Sequence, residues 1–109
     1  MKKIEEGMIT AIKNGKDYKK DNTEIYNYKD EIHSVIQVYL YGRRVATIYP
    51  DKIHLLDIGW RTTTTKSRLN AILSHYDLGK LYSKNYTWYL KTNDEDEEWT
   101  GSKTFEISK

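Results

Sequence analysis

The segment Gly59-Trp60-Arg61-Thr62-Thr63-Thr64-Thr65-Lys66-Ser67-Arg68-Leu69-Asn70 gathers hydroxyls, two arginines and a lysine where a helix is expected to begin. The free N–H groups and partial positive charge of a helix N-terminus make it a ready place for phosphate. Arg61 and Arg68 can add bidentate contacts to phosphate oxygens, with Lys66 beside them. Trp60 offers a ring on which a purine can stack, and Thr64, Thr65 and Asn70 supply polar groups nearby. The competing reading is a capped helix start with a buried tryptophan, and residue chemistry alone does not separate the two.

Two further groups complement this segment. Arg43 and Arg44 follow Tyr41-Gly42 at a hairpin tip, where they reach a ligand, a neighbouring subunit or only solvent. Asn85, Tyr86, Trp88 and Tyr89 form an aromatic hairpin suited to stacking on bases or to packing on a helix. Neighbours on a strand point opposite ways, so one of Trp88 and Tyr89 should pack and the other face out.

Catalytic arrangements are sparse. His33, His54 and His75 match no metal-ligand spacing, and no Walker loop, Gly-x-Ser-x-Gly or dinucleotide fingerprint occurs. Carboxylates cluster only at Asp94-Glu95-Asp96-Glu97-Glu98, which lacks the spaced ligands and glycine of a calcium loop. The expectation is a binding protein with no catalytic residues, no metal and no cofactor.

Composition points the same way. Removing the −5 of the acidic run from the net +2 leaves +7 on the rest of the chain. Between Tyr41 and Lys91 nine cations face three anions, a balance that favours an anionic ligand or simply solubility. Ten tyrosines and three tryptophans against one phenylalanine suit half-buried strands, subunit interfaces or base stacking. The absence of cysteine removes disulfides and cysteine-based zinc sites and suits a reducing cytoplasm. No stretch resembles a signal peptide or a bilayer span.

These groups must be positioned by elements that the periodicity outlines. Ile4, Met8, Ala11 and Ile12 predict an amphipathic helix over 2–14, ended at Asn14-Gly15, with Gly7 as its weak point. Residues 15–22 read as a solvated connection. From Thr23 to Leu56 the period is two, giving strands joined by a type II′ turn at Gly42 and a turn at Pro50. A helix over roughly 66–76 follows, with Thr64 or Thr65 as its N-cap and Leu69, Ile72, Leu73 and Tyr76 facing the sheet. A hairpin of 80–83 and 86–91 turns at Lys84-Asn85, the acidic run is a loop at 93–98, and 103–107 is a last strand. The fold class is α+β: an antiparallel β meander with a short N-terminal helix, one packed central helix and a C-terminal hairpin, in one domain over 1–109.

The order Leu40-Tyr41-Gly42-Arg43-Arg44-Val45-Ala46, then Gly59 to Asn70, then Asn85-Tyr86-Thr87-Trp88-Tyr89-Leu90 resembles the first family of Thoeris anti-defence proteins of bacteriophages. The resemblance covers roughly residues 35–90. Residues Gly59 to Asn70 follow its pattern, Gly-Trp-x-Thr-x-Thr-Thr-x-x-Arg-Leu/Met-Asn, and the motif carried onto this chain takes in Gly59, Trp60, Arg61, Thr63, Thr64, Thr65, Arg68 and Asn70. The resemblance implies sequestration of cyclic ADP-ribose isomers, left chemically intact, in the cytoplasm of the infected host. It further implies a homo-oligomer, a hexamer by the same likeness, and in some members a separate site for cyclic trinucleotides. Other readings are a nucleic-acid-binding phage protein, with salt-sensitive affinity, and an inhibitory module that binds a protein partner.

Overall fold

The period-two pattern that opens at Thr23 is realised as a run of antiparallel strands, each returning beside its predecessor. The computed structural model describes residues 2–107. They form helix α1 (Lys3–Asn14), strands β1 (Tyr18–Lys20), β2 (Thr23–Lys29), β3 (Ser34–Leu40), β4 (Arg43–Ile48) and β5 (Lys52–Leu56), helix α2 (Thr63–His75), and strands β6 (Lys80–Lys84), β7 (Thr87–Lys91), β8 (Asp96–Glu98) and β9 (Ser102–Glu106). The fold is α+β, with a six-stranded sheet ordered β1-β2-β3-β4-β5-β9 and a three-stranded sheet ordered β6-β7-β8.

The core follows the alternation. Ile25, Val38, Leu40, Ala46, Ile48, Ile53, Leu55 and Phe105 from the large sheet pack with Met8 and Ile12 of α1 and Leu69, Ile72 and Leu73 of α2. Leu81, Trp88, Leu90 and Trp99 bring the small sheet into the same cluster. Burying an aliphatic side chain of this size contributes roughly 1.5–3 kcal/mol. No helix of the described residues is long and apolar enough to cross a membrane.

Several boundaries differ from the sequence reading for identifiable reasons. The connection over 15–22 contains β1, because Tyr18 pairs with Ile25 and lays its ring on α1. That contact also explains Gly7: a Cβ there would lie 2.5 Å from the Tyr18 hydroxyl, so a larger residue would push the ring off α1. The β3–β4 turn is type I′, with Tyr41 at φ 54° and Gly42 at φ 76°, rather than the expected type II′. The β6–β7 turn is Asn85-Tyr86, one residue later than expected, since Lys84 pairs with Thr87. The acidic loop is shorter than predicted, because β8 pairs Asp96, Glu97 and Glu98 with Lys91, Leu90 and Tyr89 of β7. Glu97 also meets Lys103 at 2.9 Å.

Helix α2 starts earlier than expected, and its N-cap is Thr62 rather than Thr64 or Thr65. The Thr62 Oγ1 accepts from the Thr65 N–H at 3.1 Å, and its carbonyl accepts from the Lys66 N–H at 3.0 Å. In a run of four threonines every position has capping chemistry. The fold selects the first because Asp57 and Arg61 fix the chain just before it.

Candidate functional site

Asp57, at the end of β5, organises the segment that carries the motif. Its carboxylate is almost fully buried and accepts three hydrogen bonds: from the Gly59 N–H at 2.7 Å, from Arg61 Nε at 2.8 Å and from Trp99 Nε1 at 2.7 Å. The Trp60 N–H returns to the Asp57 carbonyl at 2.9 Å, closing a turn in which Ile58 sits at φ 51°. A β-branched residue in that left-handed region is strained, and the buried carboxylate on the adjacent amide is what holds it there. Arg61 is thereby aimed along the surface with its side chain 37% exposed, and its Nη2 also donates to the Trp99 carbonyl at 3.4 Å.

Trp60 is turned outward by the same geometry and is 38% exposed. The Tyr41 ring meets it at 5.0 Å between centroids, tilted by 52°, and the Arg43 guanidinium lies 5.4 Å from its centroid. Arg43 reaches Trp60 because the sheet is bulged: Val38 pairs with Ala46 but Tyr39 pairs with Arg44, leaving Val45 as an extra residue. Paired residues share a face, so Arg43 opposite Leu40 belongs to the inner face and Arg44 opposite Tyr39 to the outer one. The two neighbouring arginines therefore separate, and Arg44 does not join the Trp60 group.

A second group adjoins the first through Trp88. Its ring is buried under α2, with the Arg61 guanidinium and the Lys66 ammonium each 5.9 Å from its centroid. Lys66 Nζ also donates to Ser83 Oγ at 3.1 Å. Tyr89 takes the other side of the strand, stacked on Tyr82 at 5.5 Å. Asn85 and Tyr86 lie beyond Ser83 at the hairpin tip, with Tyr86 fully exposed at φ 66°. In the first turn of α2, Thr63 is exposed, Thr64 half-buried and Thr65 buried.

Arg68 and Asn70 have different surroundings. Arg68 is buried, and its three nitrogens donate to Glu5 Oε2 at 2.8 Å, Thr23 Oγ1 at 3.0 Å and Asn22 Oδ1 at 3.3 Å. Ser67 also donates to Glu5. Burial pushes the Glu5 carboxyl up, but hydrogen bonds from Ser67, Arg68 and the Lys2 amide, with the Arg68 charge, outweigh it and hold the group below its ordinary 4.5. Asn70 imitates a peptide group: its Nδ2 donates to the Leu81 carbonyl at 2.9 Å and its Oδ1 accepts from the Leu81 N–H at 2.7 Å. These bonds dock the edge strand β6 on α2. Arg68 and Asn70, expected from sequence at a ligand, are engaged by these internal partners in the structure.

Of the residues marked out from sequence, Arg43, Trp60, Arg61 and Lys66 lie in one neighbourhood, with Trp88 beneath it and Thr64 at its edge. Asp57, Trp99, Glu5 and Tyr41 complete the architecture without having been singled out. Two of them had signals. An aspartate two residues before glycine is a turn signal, and Glu5 shares helical spacing with Met8 and Ile12. A cleft of about 490 Å³ lies elsewhere, between the end of α2 and the base of β6–β7, lined by Ser74, Asp77, Lys80 and Lys91 among others. Among the described residues no three His, Asp or Glu side chains converge as metal ligands.

No curated protein and no solved structure matches the chain. The model of the family described as Kyanoviridae Gp96 protein matches residues 1–106. The match spans both helices and all nine strands of the described residues, so the chain is a small phage protein and belongs to the Kyanoviridae Gp96 family.

Proposed function

We propose that this phage protein binds a nucleotide at the Trp60 end and holds it without chemical change. The observation that supports the reading is an exposed tryptophan flanked by Tyr41 and Arg43 and followed at once by Arg61 and the first turn of α2. A base stacks on the free area of Trp60. Arg43, Arg61 and Lys66, with the amides at the start of α2, meet phosphate oxygens. On the resemblance of the Gly59–Asn70 motif we take the ligand to be a cyclic ADP-ribose isomer, and the role to be sequestration of a Thoeris immune signal. A site this open on one chain is completed by a further copy in a homo-oligomer.

Calorimetric titration with cyclic ADP-ribose isomers tests the reading, followed by heating the complex and analysing the released ligand. Tight binding with the ligand recovered unchanged supports it, and a converted product replaces it with catalysis. Trp60→Ala should weaken binding by roughly 1–3 kcal/mol, the usual worth of one base–aromatic stack. Equal affinity in the folded variant would remove Trp60 from the site. A second reading, single-stranded nucleic acid, draws on the exposed Arg44 and Lys84 outside the Trp60 group. It requires affinity for oligonucleotides that falls steeply with salt.

A further inference from the structure

The two sheets end in four edges, β1 and β9 on the large one, β6 and β8 on the small one, and three of the four are closed. β1 and β8 are each three residues long, and the Asn70 amide takes both backbone groups of Leu81 in β6. Short edge strands and covered edges are the usual ways in which a sheet avoids pairing with another chain. β9 has neither. It runs for five residues, of which Ser102, Thr104 and Glu106 are exposed. The Asp57 N–H donates to the Gly101 carbonyl at 2.9 Å, and the Ile107 N–H to the Asp51 carbonyl at 3.0 Å. Bonded residues alternate in an antiparallel pair, so Lys103 and Phe105 also bond to β5, while the N–H and C=O groups of Ser102, Thr104 and Glu106 point away from it. Those groups meet no backbone partner among the described residues.

A groove of about 360 Å³ lies beside this edge, lined by Leu78 and Phe105 and by the carboxylates of Asp77, Asp94, Glu95 and Glu106. Those four acids have no ion-pair partner among the described residues. Lys103 lines the groove as well, but its ammonium is held by Glu97 at 2.9 Å. Lys52, opposite Glu106 in the register, lies instead over the Tyr49 ring, 5.1 Å from its centroid. The free carboxylates beside the open edge therefore outnumber the free cations.

We infer that β9 accepts an extended, basic segment of a different protein as an added strand. Main-chain hydrogen bonds to Ser102, Thr104 and Glu106 supply affinity without regard to sequence, and the groove selects by charge. Alternate side chains of the added strand fall on the groove side. Lysine or arginine there covers Phe105 and Leu78 with its stem and reaches the carboxylates with its charged end. A second copy of this chain is the wrong occupant. Two β9 edges brought together set one group of free carboxylates against the other, and like charges oppose that pairing. No residue given to the nucleotide lies on this edge, so peptide and nucleotide binding are separate properties.

Fluorescence anisotropy on the full chain tests it, with a labelled, terminally blocked hexapeptide of alternating lysine and valine. The peptide should bind, and the Thr104 N–H should become protected from hydrogen exchange. The same peptide N-methylated along its backbone keeps every charge but loses its donors, and should bind at least about tenfold more weakly. Thr104→Pro removes an outward N–H without breaking a bond to β5, and should weaken the unmethylated peptide by at least about tenfold. Glu95→Lys, at an exposed position, should weaken it as well. With the methylated peptide it keeps the test complete if circular dichroism shows that the proline variant loses its fold. Trp60→Ala should leave peptide affinity unchanged. Absence of binding overturns the inference, and so does equal affinity for the methylated peptide, which would make the contact one of charge alone. Unchanged affinity in folded Thr104→Pro or in Glu95→Lys overturns it too. So does self-association of the free chain that Thr104→Pro abolishes, because a second copy would then occupy the edge.

Discussion

Arg61 and Arg68 stand seven residues apart on the same motif and carry the same charge, yet they do opposite things. Arg68 meets Glu5 with both side chains 5% exposed, whereas Arg61 meets Asp57 with 37% of its own side chain still in solvent. The first is enclosed by α1, which crosses α2 at that level; the second lies where the loop before α2 opens to the surface. A guanidinium buried with an internal acceptor on each nitrogen is closed off from a ligand, while one anchored by a single buried carboxylate is oriented and still available. The comparison teaches that chemistry at a motif is assigned by what covers it, since residue type is identical at both places.

Breaking the enclosed pair should have the largest effect. Arg68→Ala leaves a buried carboxylate without its counter-charge, at a cost of about 3–5 kcal/mol, read as a lower denaturant midpoint. A loss under about 1 kcal/mol would mean that α1 moves away easily and that the pair is not enclosed in solution. The same contact makes stability depend on acid. The Glu5 carboxyl is held below 4.5 in the folded chain, so its contribution is fully present above that value and is lost as pH falls through the lower, folded value. Glu5→Gln should flatten this acid limb in a pH series of thermal melts; an unchanged limb would assign acid sensitivity to other carboxylates.

Arg61→Ala should cost about 1.5–3 kcal/mol of stability, because the buried Asp57 carboxylate loses a charged partner but keeps the Trp99 and Gly59 donors. Nucleotide affinity should fall by more than stability does, and the reverse order would make Arg61 a second structural arginine. The smallest effect is expected at the hairpin tip. Tyr86→Gly relieves a left-handed backbone and should stabilise the fold by about 0.5–1 kcal/mol in chemical denaturation. A destabilised variant would show that the ring packs against its own chain.

Much of the fold was legible. The apolar stripe of α1 and its stop at Gly15, the alternation of β3 to β5 and the amphipathic α2 follow from periods of 3.6 and 2, which are local properties. The β3–β4 turn was less legible, because type I′ needs positive φ at both central residues and Tyr41 is an unusual choice for the first of them. The strand inside the acidic run escaped notice because five consecutive carboxylates carry no alternation; pairing with β7 and the Glu97–Lys103 contact create it.

The sequence by itself determined the α+β class, the central helix and the clustering of Trp60, Arg61 and Lys66 in one segment, since those depend on near neighbours. Only the tertiary structure decided which arginine faces outward, where α2 is capped and what the motif's asparagine does. Glu5 lies 63 residues from Arg68 and Asp57 lies 42 from Trp99, and no local pattern encodes contacts of that separation. They form when the packed core brings distant segments together, and burial then requires each polar group to find a partner.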